Sequence, residues 1–333
     1  MALTRRELLL ALPGMAIAGR ALGQTPYAPL SVGGLHQVTL AVSDVARSLY
    51  FYQNLFGAPI QARRGTTFVL RIGDGPQFLA ISRAGAAEPH MNHFGMSIAG
   101  FDPERVVSDL GGFGITAVDS GAGLSVGALQ VRSLTRGGTP EVFMGDRNGL
   151  VVQLQDPSYC GGGGPLGATC GPPEIPRYEG SLSLNGISHL TINVTDPEAT
   201  NAFYQEVFGF GYQAYQGPSP ILGVGPNDHF LMFINLGDAG RGGADGAVHH
   251  ACLTVADFDV DRVIGVLEDH GITPRDRDGP GAMRHWISMR MPNRGGAPEG
   301  TPELYFSDPD GLSIQLQDAA YCGGGGYLGE VCG

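Results

Sequence analysis

Lysine is absent from this 333-residue chain, and all 20 of its cationic side chains are arginine. Catalysis through a lysine Schiff base or a lysine general base is therefore excluded. Charged residues make up only 16% of the chain, and acidic residues outnumber basic ones, which gives a formal net charge of −12. No basic stripe accompanies this acidity, so nucleic acids and anionic membrane surfaces are not expected as partners.

The sequence also lacks the short motifs of several common enzyme classes. It contains no Gly-x-Ser-x-Gly elbow, no phosphate-binding loop and no His-Glu-x-x-His zinc motif. The glycine run at 161–164 follows a predicted strand without opening a helix, so it is not a dinucleotide-binding turn. The 54 glycines show no three-residue period, which excludes a collagen-like helix and fits many tight turns.

The apolar stretch near the N-terminus, residues 8–18, is too short to span a bilayer, because a spanning helix takes about 20 apolar residues. Arg5 and Arg6 precede this stretch, and small residues at 21–23 follow it. The arrangement is typical of a twin-arginine export signal, which we predict at residues 1–23. The mature protein is therefore predicted to be periplasmic or secreted, with no membrane span after cleavage.

The chain contains internal repeats. Residues 143–156 return as residues 305–318, and residues 159–170 return as residues 321–332, a shift of 162 in both cases. Duplication of one ancestral module explains both repeats. We therefore divide the chain into a first module at 33–156, a Gly/Pro-rich linker at 157–185, a second module at 186–318 and a Gly/Cys tail at 319–333.

Four of the five cysteines lie at equivalent places in the two repeats, at Cys160, Cys170, Cys322 and Cys332. A disulfide within each glycine-rich loop is the simplest pairing and agrees with an oxidising compartment. Four cysteines permit three connectivities, so a bridge between the modules stays open at this stage. A metal site built from these thiols is the remaining alternative.

Hydrophobic periodicity predicts two helices and several strands in each module. Asp44 is predicted to begin the first helix, which ends before Gly57, and the other helices are predicted at 102–110, 197–208 and 260–270. Strands are predicted at 35–42, 68–72, 77–82, 93–99, 129–134, 141–144, 150–155, 187–194, 230–235, 250–255, 286–291, 303–306 and 312–317. Three strands of the second module have one apolar and one polar face, and we expect their polar faces to look at water or into a shared concavity.

This arrangement resembles the vicinal oxygen chelate superfamily, which includes glyoxalase I, the bleomycin- and fosfomycin-resistance proteins and the extradiol ring-cleaving dioxygenases. The likeness rests on His-Leu-Thr-Ile-Asn-Val-Thr-Asp at 189–196, Phe203-Tyr204 followed by Gly209, and Asp-Pro-Asp-Gly at 308–311. It implies an α+β fold of two tandem modules. Each module consists of paired βαβββ units that curl into a cleft, where strand residues hold a divalent metal ion.

Carried over residue by residue, the resemblance implies that His189, His250 and Gln315 are the metal ligands. Gln315 stands where the family usually has a glutamate, so the site has one negative charge fewer. Two imidazoles and an oxygen ligand suit Fe(II) best, and Mn, Zn or Cu are the alternatives. Tyr305 matches a tyrosine that hydrogen-bonds substrate or oxygen in the family.

Two further residues of the second module are candidates for a catalytic or supporting role. Cys252 shares the strand face of His250, and His285 lies on a neighbouring predicted strand. The first module has a weaker equivalent of the metal site, at Gln37, His93 and Gln153.

These features lead to two main hypotheses of function. The first is an exported metal-dependent enzyme that acts on a small vicinally oxygenated molecule, as a ring-cleaving dioxygenase or as a lyase or isomerase. The second is a metal-free protein that sequesters a small molecule, as bleomycin-resistance proteins do. A third and weaker hypothesis is an extracytoplasmic scaffold. The chain could also form a homodimer.

Overall fold

A computed structural model describes residues 29–235, 246–276 and 281–332, so the predicted export signal at 1–23 lies outside the described residues. The first module contains β1 (Val32–Val42), α1 (Val45–Phe56), β2 (Ile60–Arg64), β3 (Thr67–Arg71), β4 (Phe78–Arg83), β5 (His90–Ile98), α2 (Pro103–Gly112), β6 (Thr116–Ala117), β7 (Gln130–Arg136), β8 (Thr139–Gly145) and β9 (Val151–Gln155). The second contains β10 (Leu184–Val194), α3 (Pro197–Phe208), β11 (Tyr212–Gln216), β12 (Ser219–Gly223), β13 (Phe230–Asn235), β14 (Ala247–Val255), α4 (Val260–Asp269), β15 (Thr273–Pro274), β16 (Arg284–Arg290), β17 (Thr301–Ser307) and β18 (Ser313–Gln317). A short 3₁₀ helix, Pro292–Arg294, follows β16.

The helices begin and end at residues whose local chemistry specifies a boundary. The Asp44 carboxylate accepts hydrogen bonds from the backbone N–H groups of Ala46 and Arg47, which satisfies donors that the first turn of α1 leaves free. Gly57 closes the same helix in the left-handed region, with φ at 62°, where a side chain would be strained. The predicted start and end of the first helix are thereby confirmed.

Each module forms one nine-stranded mixed sheet. The strand order is β2-β3-β4-β1-β5-β9-β8-β7-β6 in the first module and β11-β12-β13-β10-β14-β18-β17-β16-β15 in the second. The first strand of each module lies near the centre of its sheet, parallel to the fourth strand and antiparallel to the fifth. The predicted α+β architecture of two tandem modules is confirmed.

One row of laterally paired residues crosses the polar face of each sheet. Directly paired residues on neighbouring strands point to the same face, so every member of a row shares that face. In the second module the row consists of Phe230, His189, Cys252, Gln315, Tyr305 and Trp286. In the first module it consists of Phe78, Gln37, Gly95, Gln153, Phe143 and Arg132.

The opposite face of each sheet carries the apolar core beneath the helices. Leu190, Ile192 and Val194 of β10 are fully buried, as the predicted alternation requires. The polar face is buried too, because His189 keeps only 2% of its surface and Gln315 only 1%. The polar residues of the second sheet therefore line an enclosed concavity instead of an open surface.

The two modules are joined by a reciprocal pair of buried contacts. The Tyr52 hydroxyl of α1 donates to Asp308 Oδ2 at 3.1 Å, and the Tyr204 hydroxyl of α3 donates to Asp146 Oδ2 at 3.3 Å. Each aspartate lies in the turn before the last strand of the opposite module. One hydrophobic core runs through both modules, so the chain folds as an interlocked pair.

The glycine-rich segments after β9 and β18 carry one disulfide each, Cys160–Cys170 and Cys322–Cys332, which confirms pairing within the loops. Disulfides of this kind are typical of proteins in oxidising compartments. The segment at 157–185 also contacts the first module, since Ile60 and Glu174 form a β-bridge. Among the described residues, no helix is long and apolar enough to cross a membrane.

Asp308 makes the stability of the interlocked modules pH-dependent. Burial raises the pKa of Asp308 to about 6, whereas an aspartate in an unfolded chain titrates near 3.9. A carboxyl group whose pKa is higher in the folded state contributes stability that is full below about pH 4 and is lost as the pH rises through about 6. The Asp308→Asn variant keeps the shape of the side chain and removes this titration.

We compare the unfolding free energies of Asp308→Asn and wild type by urea denaturation at pH 4 and at pH 7. From pH 4 to pH 7 the difference should shift by roughly 2–3 kcal/mol in favour of the variant. The matched variant Asp146→Asn should change in the same direction, because burial also raises the pKa of Asp146. A difference between variant and wild type that stays constant with pH would contradict this account.

Candidate metal centre

A cavity of about 160 Å³ lies on the polar face of the second sheet. It is lined by side chains from β10, β11, β13, β14, β16, β17 and β18, by Arg294 and by the C-terminal tail. The chemically active groups of its lining include His189, His249, His250, Arg294, Glu303, Tyr305, Gln315 and Tyr321. The sheet register thus gathers all three predicted metal ligands and the predicted tyrosine at one small cavity.

The two histidines converge through the same ring atom. His189 Nε2 and His250 Nε2 are 3.3 Å apart, although the residues are 61 positions apart in sequence. Burial lowers the pKa of His189 to about 3 and lowers the pKa of His250 well below its ordinary value. Both rings are therefore neutral near pH 7, which is the form of imidazole that binds metal ions.

The other nitrogen of each ring has a partner that holds the ring in place. The Ser188 hydroxyl lies 3.2 Å from His189 Nδ1, and His249 Nδ1 lies 2.8 Å from His250 Nδ1. His189 also stacks on Phe230, with ring centroids 4.1 Å apart and planes 8° apart. Partners on Nδ1 fix the ring orientation and leave Nε2 facing the shared point, as in many metal sites.

Gln315 completes the third position. Its side chain lines the same cavity as His189 and His250 and opposes the effect of burial on their pKa values. The amide nitrogen of Gln315 is buried and has no hydrogen-bond partner among the described residues. Gln315 therefore brings an amide group with an uncommitted nitrogen to the cavity that the two imidazoles line.

These residues fit a divalent metal ion. Two imidazole nitrogens bound side by side to one ion at about 2.0–2.1 Å lie roughly 3.0–3.4 Å apart, and the observed Nε2–Nε2 separation is 3.3 Å. The donor set is neutral, however, because it consists of two imidazoles and an amide. The described residues contain no group of three His, Cys, Asp or Glu side chains placed to hold a metal ion. An anionic substrate would supply the charge that Gln315 lacks.

Glu303 is the carboxylate nearest this centre, and its oxygens are already engaged. Arg290 Nε donates to Glu303 Oε1 at 2.9 Å, and the Tyr321 hydroxyl donates to the same oxygen at 3.1 Å. The Tyr305 hydroxyl donates to Glu303 Oε2 at 3.3 Å. Glu303 therefore orients the two tyrosines beside the histidine pair.

Tyr305 packs edge-on against His250, with ring centroids 5.1 Å apart, and stacks on Trp286, with planes 6° apart. Burial raises the pKa of Tyr305 well above its ordinary value, so its hydroxyl stays protonated and can donate a hydrogen bond. Tyr305 thus lines the cavity beside the histidine pair.

The two remaining candidates of the second module differ in position. Cys252 lies in the row between His189 and Gln315, is fully buried, and remains a thiol because burial raises its pKa. His285 points away from the cavity, since strand alternation turns it opposite to Trp286, and its Nε2 lies 3.3 Å from Glu268 of α4. The structure therefore brings Cys252 to the site and leaves His285 outside it.

The first module shows a different arrangement at the equivalent positions. Gln37 Nε2 donates to Gln153 Oε1 at 2.5 Å, so the two amides bond each other. His93 has partners on both ring nitrogens, with Thr39 Oγ1 at 3.0 Å and Asn92 Oδ1 at 2.7 Å. These three residues lie near one another but present no pair of convergent imidazole nitrogens.

Several residues that shape the site were not among the sequence candidates. Arg290 and Tyr321 form the network around Glu303, and Gln216 Nε2 donates to the Tyr321 hydroxyl at 3.2 Å. The repeat contained a usable signal for one of them, because Tyr321 and Tyr159 recur at the same place in both copies. Sequence reasoning used that recurrence only for the cysteines beside them.

The comparisons with known proteins identify the family of the chain. The family described as "Glyoxalase/Bleomycin resistance protein/Dioxygenase superfamily" matches residues 34–121 and 186–316. None of the curated proteins matches the chain in sequence.

Solved structures with a similar fold include homoprotocatechuate 2,3-dioxygenase from Arthrobacter globiformis, at 17% identity and a TM-score of 0.58, covering 88% of this chain and 82% of that one. A Mn(II)-bound glyoxalase from Novosphingobium aromaticivorans has 15% identity and a TM-score of 0.58, with 86% and 82% covered. A catechol 2,3-dioxygenase has 14% identity and a TM-score of 0.58, with 86% and 88% covered. At such identities these structures show a shared fold alone.

The buried Arg290–Glu303 pair gives a direct test of the site's electrostatics. Arg290→Met leaves the Glu303 carboxylate buried without its counter-charge, so we expect a loss of about 3–5 kcal/mol of unfolding free energy in urea denaturation. The double variant Arg290→Met/Glu303→Gln should recover much of this loss, because no uncompensated charge remains. Equal stability of the single and double variants would show that Glu303 does not depend on Arg290.

Proposed function

Because the chain belongs to the glyoxalase/bleomycin resistance protein/dioxygenase superfamily, we propose that its second module is a metal-dependent catalytic centre. The observation that carries the proposal is the 3.3 Å approach of the Nε2 atoms of His189 and His250, with Gln315 lining the same cavity beside both rings. His189, His250 and Gln315 hold the ion, and Fe(II) is favoured over Mn, Zn or Cu.

The substrate that suits this centre is a small organic molecule with two neighbouring oxygen atoms. A bound divalent ion would supply Lewis acidity that stabilises an enolate-like or catecholate anion of such a molecule. The cavity of about 160 Å³ suits a small molecule. An anionic substrate also compensates for the missing carboxylate at Gln315.

The chain's own residues have distinct tasks in this proposal. Ser188 and His249 hold the ligand imidazoles through Nδ1. The Tyr305 hydroxyl remains protonated and would exchange its bond to Glu303 Oε2 for one donated to the substrate, while Trp286 fixes the plane of its ring. Ring-cleaving dioxygenase chemistry and lyase or isomerase chemistry are the two subclasses that this arrangement supports.

We further propose that the protein is exported by the twin-arginine route. Arg5 and Arg6 before the apolar stretch at 8–18 support this route, and the two disulfides support an oxidising destination. Twin-arginine export accepts folded proteins, which suits a chain whose metal ligands come together only in the folded sheet.

The test is a metal titration of protein recovered from the periplasm of cells that express the full chain, with its first residue read by mass spectrometry. We expect a single Fe(II) or Mn(II) ion per chain under anaerobic conditions and cleavage near Gly23. His189→Ala and His250→Ala should each weaken metal binding by at least tenfold, since each removes a ligand. His93→Ala, the equivalent change in the first module, is the matched control and should bind as wild type does.

Failure of the wild-type protein to bind Fe(II), Mn(II), Zn(II) or Cu(II) would overturn the enzyme proposal. The neutral donor set at Gln315 would then favour the second function, metal-free sequestration of a small molecule. Metal binding that survives both histidine variants would also contradict the proposal, because the ion would have to lie elsewhere.

A further inference from the structure

The cleft of the first module has a charge pattern that the proposed metal chemistry of the second module does not use. A cavity of about 360 Å³ lies on the polar face of the first sheet, a size at the lower end of small-molecule sites. Four arginines line it, and none of the described lining residues is Asp or Glu. These arginines are Arg64, Arg83, Arg132 and Arg136.

The positive charge is only partly compensated by the surrounding protein. Glu141 is ion-paired with Arg64 and lies 3.4 Å from Arg136 Nε. Four guanidinium groups against this one carboxylate leave a formal excess of three positive charges around the cavity. His93 experiences the same field, since its pKa is lowered to about 4 first by burial and then by the charges of Arg64, Arg136 and Arg132.

The second module serves as an internal control for this pattern. The sheet positions of Arg64, Arg83 and Arg132 are occupied there by Gln216, Asn235 and Trp286, which are all neutral. Arg136 alone keeps its charge, as Arg290. The scaffold therefore folds without the extra arginines, and their presence belongs to the first cleft specifically.

Two hydrogen-bond donors at this cavity have no acceptor among the described residues. Arg132 Nε and Gln153 Nε2 are both buried and without a partner, and both residues line the cavity. Buried donors without an acceptor are costly, so a site that presents them beside excess positive charge suits a negatively charged acceptor. Guanidinium groups bind carboxylates strongly because two parallel N–H bonds match the two oxygens.

The rest of the lining is apolar and indicates that a ligand of this cavity has an apolar part. Phe143 forms one wall, with the Arg132 guanidinium 5.5 Å above its ring, and Leu124 and Val151 add aliphatic surface. We propose that the first module binds a small organic carboxylate with an apolar body in this cavity. The site is separate from the metal centre, and its occupancy does not depend on the proposed function of the second module.

The test is isothermal titration calorimetry of the full chain with sodium benzoate at low ionic strength. Benzoate should bind with an affinity that falls as sodium chloride is added, because the attraction is electrostatic. Benzyl alcohol, which has the same ring without the charge, should bind at least tenfold more weakly. Inorganic phosphate should also bind more weakly, since it cannot use the apolar wall.

Variants locate the site. Arg132→Gln and Arg83→Gln, on strands β7 and β4, should each weaken benzoate binding by at least fivefold, with circular dichroism confirming that both fold. Arg147→Gln, an exposed arginine of the same module that does not line the cavity, should leave binding unchanged. His250→Ala should also leave benzoate binding unchanged, even if it abolishes metal binding.

Three results would overturn the proposal. The first is absence of benzoate binding, the second is phosphate binding more tightly than benzoate, and the third is benzoate binding that both arginine variants retain. Loss of benzoate binding in His250→Ala with retention in Arg132→Gln would place the anion in the second module instead.

Discussion

The register between the first and fifth strands of each module is the constraint on which the site depends. In the second sheet His189 pairs with Cys252 and Thr191 pairs with His250, so the two imidazoles lie one diagonal step apart on one face. The pairing of Cys252 with Gln315 then brings the third group into the same row. A slip of one residue in either pairing would turn one ligand to the apolar core, because side chains alternate between faces.

The site also depends on a buried hydrogen-bond network around Glu303, which joins distant parts of the chain. Tyr321 belongs to the disulfide-closed tail, and its hydroxyl meets Glu303 of β17 at 3.1 Å while its ring stacks near His189. Arg290 holds the same carboxylate from β16. Burial of a charge requires such a partner, so the Glu303 network couples the tail, two strands and the histidine pair into one polar unit.

Local chemistry explains which features the sequence could predict. Helix ends such as Asp44 and Gly57 depend on neighbouring residues, and strand alternation showed the face of His189. Edge strands Ile60–Arg64 and Tyr212–Gln216 were missed, since their polar sequences lack a clear period of two. The Glu303 network and the arginine cluster could not be predicted, because each joins residues far apart in sequence through the final sheet order.

The two copies of one fold thus carry different chemistry on equivalent rows. The second row presents convergent imidazoles, and the first presents two amides bonded to each other beside a set of arginines.

The most direct test of metal binding by the second module is anomalous diffraction from crystals of the full chain grown with Mn(II). We predict a single peak within bonding distance of His189 Nε2, His250 Nε2 and the Gln315 amide oxygen. A map with no peak there, or with the two imidazoles turned apart, would contradict the account.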